Sequence, residues 1–126
     1  PVACAAALAN LAIMEDENLL AHVREVGPYL QSEAAKLNDL PLVGDVRGAG
    51  LMLGIELTAD KAARRPLEHD AKIVDRVFRA CLDAGVIVRP VGDRIILSPP
   101  LIITRDQIDR ILSVLRDALA RTEATL

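Results

Sequence analysis

The sequence predicts an α+β fold, a two-layer sandwich in which helices pack on one face of a small, mostly antiparallel sheet. Two observations predict it. In several segments apolar residues recur at three and four positions, as in half-buried helices, and between those segments they alternate with polar residues, as in strands. The 126 residues form one domain with a core, and that core is aliphatic, because 52% of the residues are hydrophobic and only 2% are aromatic.

The N-terminal third predicts two helices. Residues 2–15 are rich in alanine and leucine, which favour helix, and the segment Glu15-Asp16-Glu17-Asn18, with three acidic residues, suits the start of a second helix. Gly27-Pro28 predicts a kink or a restart within it, and residues 38–41 end it with turn-forming residues. The apolar face of this second helix consists of Leu19, Val23, Val26, Leu30, Ala34 and Leu37.

In the middle of the chain, apolar residues recur at every second position, as in a strand. Residues 42–47 form a short extended run, and the three residues 48–50 suggest a bend or a bulge before the next strand. Residues 58–67 are polar and predict an exposed loop in which Arg64 and Arg65 are a solvated charge pair. The residues of the strand that alternate toward a core are Leu51, Leu53, Ile55 and Leu57.

The C-terminal half predicts a helix, a hairpin and a last helix. The first of these helices spans about residues 68–84 and stops at Gly85. Two β-branched runs within residues 85–100 flank a Pro/Gly/Asp segment, which is typical of a β-hairpin. Thr104, with Gln107 three residues later, has the form of a capping box. The last helix places on one face Ile108, Ile111, Leu112, Leu115 and Leu119.

Composition and charge exclude several classes of protein. The net charge is −3, no basic stripe exists, and only Tyr29 and Phe78 are aromatic, which argues against nucleic-acid binding. No stretch approaches the roughly 18 uncharged apolar residues of a membrane span, and no signal peptide is visible. Cys4 and Cys81 are isolated, so no zinc site is expected. We therefore expect a cytoplasmic protein, with no membrane and no nucleic-acid partner.

No complete catalytic set is present in the sequence. His22 and His69 stand far apart in polar surroundings and are expected at the surface, and the serines lack the context of a nucleophile elbow. The lysines Lys36, Lys61 and Lys72 lie in charge-rich segments, whereas a Schiff-base lysine needs desolvation or a neighbouring cation. We therefore assign no catalytic, cofactor-binding or metal-binding residue.

Arg89 is the residue that suggests a ligand site. A four-residue hairpin loop from Pro90 to Asp93 would place Arg89 opposite Arg94, and two facing guanidinium groups repel each other. An acid or a bound anion must then lie near them. One interpretation is a surface arginine that pairs with Asp93 or another acid. Another is a non-catalytic regulatory or interaction module that binds an anionic effector through Arg89 and Arg94.

Several segments resemble the class III (omega) aminotransferases, in the order in which that family has them. VGDVRGAGLMLGIEL at 43–57 resembles the family's "(I/V)GdvRG.GLm.giEl" segment. GVIVRP at 85–90 and IILSPPLIIT at 95–104 resemble the hairpin that follows and the "L.PPLiit..qid" segment. PVACAAAL at 1–8 resembles the family helix that begins with His-Pro. The resemblance covers essentially the whole chain.

The resemblance implies an enzyme of fold type I that depends on pyridoxal phosphate. Such enzymes transfer an amino group from an amine or omega-amino acid to a keto acid such as pyruvate. They are dimers in which a large domain binds the cofactor and a smaller C-terminal domain closes over the substrate. Residues 1–126 would be a single domain, that C-terminal small domain with the preceding linking helix.

The resemblance also implies what this chain lacks. The cofactor lysine and most phosphate ligands of the family would precede Pro1, where the sequence opens in helical composition without a capping residue. We therefore expect the fragment to be inactive and to bind no pyridoxal phosphate without its N-terminal cofactor-binding domain. Its first helix, uncovered by that domain, is expected to cause self-association.

Arg89 corresponds to the family arginine that contacts the substrate carboxylate and swings aside for substrates without one. A guanidinium offers a planar fork of two donors that suits a carboxylate. Arg94 is expected to be structural. Arg47 is expected to form a salt bridge with Asp45 or Glu56.

Overall fold

The computed structural model describes residues 1–67 and 71–124. The predicted start of the third helix at Glu68 and the predicted surface residue His69 lie outside these ranges. The helices are α1 (Val2–Asp16), α2 (Leu19–Ala35), α3 (Ala71–Asp83) and α4 (Arg105–Glu123), with a 3₁₀ turn at Lys36–Asp39. The strands are β1 (Val43–Ala49), β2 (Met52–Asp60), β3 (Arg65–Pro66), β4 (Arg89–Val91) and β5 (Arg94–Leu97).

The strands form an antiparallel sheet in the order β1-β2-β5-β4, and β3 pairs with the end of β2. The chain reversals between β1 and β2 and between β4 and β5 are hairpins, so β1 lies beside β2 and β4 lies beside β5. The long connection between β2 and β4 contains α3, which brings β5 back beside β2. The predicted α+β fold with an antiparallel sheet is confirmed.

The core lies between one face of the sheet and the helices. Alternate residues of β2 and β5 are buried, whereas the residues between them face away from the helices and are more exposed. The helices contribute apolar residues at the predicted spacing, and α4 begins with the predicted capping box at Thr104. The largest fully buried side chains include Leu30, Leu37, Leu53, Ile55, Leu57, Ile95, Ile108, Leu115 and Leu119.

Helix α1 buries none of its residues against the described chain. Val2 and Leu8 are 83% and 68% exposed, and Leu11 and Ile13 are about half exposed. An apolar helix of this length is normally covered, because exposed aliphatic side chains contribute nothing to stability until water is removed from them.

The α2 helix runs from Leu19 to Ala35 without interruption, so the prediction of a restart at Gly27-Pro28 was wrong. Pro28 lacks an N–H and leaves the Arg24 carbonyl without its helical donor. Pro28 and Arg24 are both exposed, so water can reach that carbonyl. Burial of the flanking Val26 and Leu30 keeps the helix continuous.

The segment predicted as a bend or bulge at 48–50 is a tight hairpin turn. Ala49 pairs with Met52, so Gly50 and Leu51 are the two turn residues. Gly50 has a φ of 56°, which the first central position of a type II′ turn requires. The Gln31 side chain of α2 donates to the carbonyls of Gly50 and Met52 at 2.9 and 3.2 Å, and so fixes the turn against the helix.

The polar stretch predicted as a loop at 58–67 is partly strand, so this boundary was wrong. β2 continues to Asp60, and Arg65 pairs with it through β3. Thr58 is buried, and its hydroxyl donates to the Arg65 carbonyl at 2.7 Å. Backbone pairing holds this segment, and a polar composition gives no sign of such pairing.

Candidate functional site

The hairpin that carries Arg89 has a shorter turn than its sequence suggested. Val91 pairs with Arg94, Pro90 with Ile95, and Arg89 with Ile96. The predicted four-residue loop and the facing of Arg89 and Arg94 were therefore wrong. Gly92, with a φ of 60°, permits a two-residue turn.

Arg94 is held by carboxylates on both sides. Its Nε atom lies 3.4 Å from Glu56 Oε2 and 3.6 Å from Asp93 Oδ1. Glu56 is the residue opposite Arg94 in the β2–β5 register. Both neighbours favour a structural role for Arg94, as expected. Arg47 pairs with Asp45, one of the two expected acids.

Arg89 stands in a different environment. It begins β4, the edge strand of the sheet, and it is exposed. No hydrogen bond or ion pair joins its side chain to the part of the chain that the structure describes, residues 1–67 and 71–124. Asp93, the expected partner in the interpretation of Arg89 as a surface arginine, lies beside Arg94 instead. Arg89 is thus a cation available to an anion.

A cleft of about 360 Å³ is lined in part by Arg89 and by the residues that follow β5. Pro99 and Pro100 follow β5 and have no N–H to donate, so the ladder of hydrogen bonds does not continue past Leu97. The residues that line the cleft are Leu30, Ile87, Val88, Arg89, Ile96, Leu97, Ser98, Pro99, Pro100, Ile103, Ile108 and Ile111.

One wall of the cleft is tied to α2 by His22. Its Nε2 atom lies 2.8 Å from the Ile103 carbonyl oxygen and donates to it. His22 is half-buried, so the prediction of a surface residue was wrong. The two residues are 81 positions apart, and no local pattern in the sequence predicts such a contact.

Helices α2 and α4 are joined by contacts of Tyr29. Its hydroxyl donates to Asp109 Oδ1 at 2.6 Å, and the Arg105 guanidinium lies 5.0 Å from its ring centre. The hydrogen bond to Asp109 raises the pKa of the Tyr29 hydroxyl above its usual value. These contacts hold together the two helices that contribute Leu30, Ile108 and Ile111 to the lining of the cleft.

The lysines do not fit a covalently bound aldehyde cofactor. Lys36, Lys61 and Lys72 are all exposed. Lys36 pairs with Glu33 at 2.5 Å, and Lys61 donates to the Asn38 carbonyl. A lysine that attacks a carbonyl near neutral pH needs desolvation or an adjacent cation. None of the three has a buried side chain, so none has the surroundings that such a lysine requires.

The cysteines also have separate environments. Cys81 is fully buried in α3, and burial raises the pKa of its thiol to about 11. Cys4 is exposed on α1, and the two are not joined in a disulfide. Within residues 1–67 and 71–124, no three metal-ligating side chains cluster as a metal site would require, and no helix is long and apolar enough to cross a membrane.

Comparison with known proteins places these features in a family. A family model described as aminotransferase class-III matches residues 1–119. The chain is 44% identical over 118 residues to adenosylmethionine-8-amino-7-oxononanoate aminotransferase of Nitratidesulfovibrio vulgaris, covering 94% of this chain and 22% of that protein. It is 39% identical to gamma-aminobutyrate transaminase 1, mitochondrial, of Oryza sativa subsp. indica, covering 98% of this chain and 24% of that protein.

Solved structures agree with the sequence comparison. An omega-aminotransferase from Paracoccus denitrificans superposes with a TM-score of 0.94 at 33% identity. The match covers 100% of this chain and 28% of that one. The chain therefore spans about a quarter of the length of the relatives that it matches.

Proposed function

The chain belongs to the class III aminotransferase family, and from this premise we propose that it is part of a pyridoxal-phosphate-dependent aminotransferase. The whole enzyme transfers an amino group from an amine or omega-amino acid to a keto acid such as pyruvate. The observation that carries this proposal is the family match over residues 1–119, in a chain that spans about a quarter of its relatives.

In this proposal residues 1–126 are the C-terminal small domain with the helix that links it to the cofactor-binding domain. The exposure of α1 supports the assignment, because an apolar helix with no buried residue is normally covered by another part of the protein. The cofactor belongs to the whole enzyme, and residues 1–126 alone bind none, because their three lysines are exposed.

Arg89 is the substrate-binding residue in this proposal and holds the substrate carboxylate. Its guanidinium has no acidic partner among the described residues, and it stands on an edge strand beside an apolar cleft. A planar fork of donors binds a carboxylate through two parallel hydrogen bonds. The alternative, an effector site shared by Arg89 and Arg94, has no support in this geometry, since two acids already neutralise Arg94.

We place the whole enzyme in the cytoplasm as a homodimer. The unpaired Cys4 and Cys81 support a reducing compartment. The apolar surface of α1 supports association, either with the rest of the enzyme or between copies of the isolated chain.

The test is amino transfer by the full-length protein. With pyridoxal phosphate, an arylalkylamine and pyruvate, we expect alanine to accumulate. Its absence with every amine donor tried would contradict the proposed activity.

The isolated residues 1–126 are the matched control. We expect them to form no alanine, and borohydride reduction of their mixture with pyridoxal phosphate should trap no stoichiometric adduct at one lysine. A saturable adduct at a single lysine would contradict the assignment of the cofactor to other parts of the enzyme.

A further inference from the structure

The two edges of the sheet differ in their ability to accept another strand. The strand order β1-β2-β5-β4 leaves β1 and β4 at the edges. On β4, Pro90 lies between Arg89 and Val91, which bond to β5, and it has no N–H to offer outward. Strand β1 contains no proline or lysine, the residues that commonly block an edge. β1 is therefore the edge at which a further strand can be added.

The outward backbone groups of β1 belong to Val46 and Gly48. The Leu57 N–H donates to the Asp93 carbonyl, so the odd-numbered residues of β2 bond toward β5 and the even-numbered ones toward β1. These even-numbered residues of β2 pair with odd-numbered residues of β1. The N–H and carbonyl groups of Val46 and Gly48 therefore point away from β2, and within residues 1–67 and 71–124 they have no hydrogen-bond partner.

The charges on the open edge are incompletely balanced. Asp45 lies opposite Glu56 of β2, and two carboxylates that face each other across strands repel. Glu56 has Arg94 on its other side, whereas the other side of Asp45 is the open edge. Arg47 contacts Asp45 within β1, yet 86% of its side chain is exposed, so it remains accessible to a further carboxylate.

A second copy of β1 meets these requirements in one antiparallel register. Pairing centred on Val46 joins the outward backbone groups and places Asp45 of each copy opposite Arg47 of the other. Pairing centred on Arg47 would instead set two guanidinium groups against each other. Opposite charges therefore select the register centred on Val46. Asp45 then lies between Glu56 of its own chain and a cation of the second copy.

We propose that β1 is a self-complementary interaction surface, through which two copies of this chain form one continuous antiparallel sheet. Val46 exchanges its N–H and carbonyl bonds with its counterpart, and an Asp45–Arg47 pair flanks it on each side. The bulge between Val43 and Asp45 ends the regular pairing, so the contact is short and the association is weak and concentration-dependent. This surface is separate from α1, and it requires neither the cofactor nor amino transfer.

Charge reversal tests the two ion pairs. In sedimentation of the full-length protein, we expect the mean mass to rise as the chain concentration increases from micromolar to millimolar. Arg47→Asp and Asp45→Arg each turn both attractive pairs into repulsive ones, and each should weaken association about tenfold or more. Arg79→Asp makes the same charge change in an exposed ion pair of α3 and should have no effect.

A mixture of the two reversed variants separates pairing from folding. The Asp45→Arg edge carries only basic side chains and the Arg47→Asp edge only acidic ones, so the mixture should associate although neither variant does alone. Failure of the mixture to associate would assign both residues to the stability of β1 and overturn the proposal. A mean mass that stays constant with concentration in the unchanged protein, or is unaffected by both reversals, would also overturn it.

Val46→Pro tests the backbone pairing. It removes an N–H that points outward and leaves the bonds between β1 and β2 in place, as edge strands permit. We expect association to be lost, whereas Val46→Thr keeps the N–H and a β-branched side chain and should associate like the unchanged protein. Undiminished association of Val46→Pro would show that the copies meet through another surface.

Discussion

Arg94 lies directly opposite Glu56 across strands β5 and β2, and its Nε atom is 3.4 Å from the Glu56 carboxylate. This pairing explains how the hairpin carries two arginines without an unbalanced pair of charges. Arg94 is compensated by Glu56 and Asp93, and Arg89, on the edge strand two residues before the position opposite Arg94, has no acidic partner among the described residues. The hairpin thus separates a structural cation from an available one.

Exchange of Arg89 for alanine should lower kcat/KM for substrates that carry a carboxylate far more than for simple amines. The lost charge-assisted hydrogen bonds correspond to about 1.5–3 kcal/mol, or roughly tenfold to more than a hundredfold in kcat/KM. The measurement compares an omega-amino acid with the matching alkylamine in the full-length enzyme.

Arg94→Ala is the matched control for that experiment. Its ion pairs are exposed, so about 0–1 kcal/mol of stability and no change in substrate preference are expected. Equal losses for both substrates in Arg89→Ala would assign Arg89 to structure rather than to binding.

Gly48→Ala should destabilise the β1–β2 hairpin. A Cβ atom at Gly48 would lie 2.2 Å from the Met52 carbonyl oxygen, a backbone atom that cannot move without breaking the hairpin. We expect a loss of about 1–3 kcal/mol in urea unfolding. Gly54→Ala is the control, because its nearest atom would be Ile96 Cδ1 at 3.6 Å. Equal midpoints for the two variants would show that the turn tolerates the added atom.

Thr104→Ala should remove the cap of α4. The Thr104 hydroxyl accepts from the Gln107 N–H at 3.3 Å, and the Gln107 side chain accepts from the Thr104 N–H at 3.0 Å. The loss should be about 1 kcal/mol in free energy of unfolding. Thr104→Ser keeps the acceptor and should retain most of the stability, so a Ser variant as unstable as the Ala variant would argue against the cap.

Cys81 should make stability fall at high pH. Burial raises the pKa of its thiol to about 11, so the folded state holds a proton that the unfolded state releases near pH 8.5. The contribution is full below the unfolded pKa and is lost as the pH rises through about 11. Urea unfolding at pH 8 and pH 10.5 measures it, and Cys81→Ala should show a smaller change between these two values.

The same burial predicts unequal labelling of the two cysteines. At pH 8 in native protein, iodoacetamide should modify the exposed Cys4 and leave Cys81 unreacted until denaturant is added. Rapid labelling of Cys81 in the native protein would contradict the packing of α3.

The isolated residues 1–126 should self-associate through α1. Leu8 and Leu11 are 68% and 55% exposed on a helix without buried residues, and water leaves such surface when two copies meet. Leu8→Glu with Leu11→Glu should shift light scattering toward monomer. Leu82→Glu, at an exposed leucine of α3, is the control. A monomer at high concentration in the unchanged chain would contradict this prediction.

Local patterns predicted most of the fold. The alternation of Leu53, Ile55 and Leu57 and the cap at Thr104 each depend on residues within a few positions, and the structure confirms both. The hairpin register was missed because it depends on the backbone of Gly92, which permits a turn two residues shorter than the composition suggested. The continuity of α2 through Pro28 was missed because burial of its neighbours outweighs one lost hydrogen bond.

The candidate site was only half predicted. Family resemblance singles out Arg89, and the structure adds that its side chain has no acidic partner among residues 1–67 and 71–124. The contact between His22 and the Ile103 carbonyl joins residues 81 positions apart. Such contacts have no local signature, because they depend on which surfaces the packed helices bring together.

The amino-acid pattern alone was enough for the fold class, the helix and strand types and the family, since periodicity, capping and motif spacing are short-range properties of the chain. The tertiary structure decided which of the two arginines lacks an acidic partner among residues 1–67 and 71–124. Charges pair according to distance in space: the antiparallel register brings Glu56 opposite Arg94, which already has Asp93 beside it in the chain, while Arg89 lines an apolar cleft.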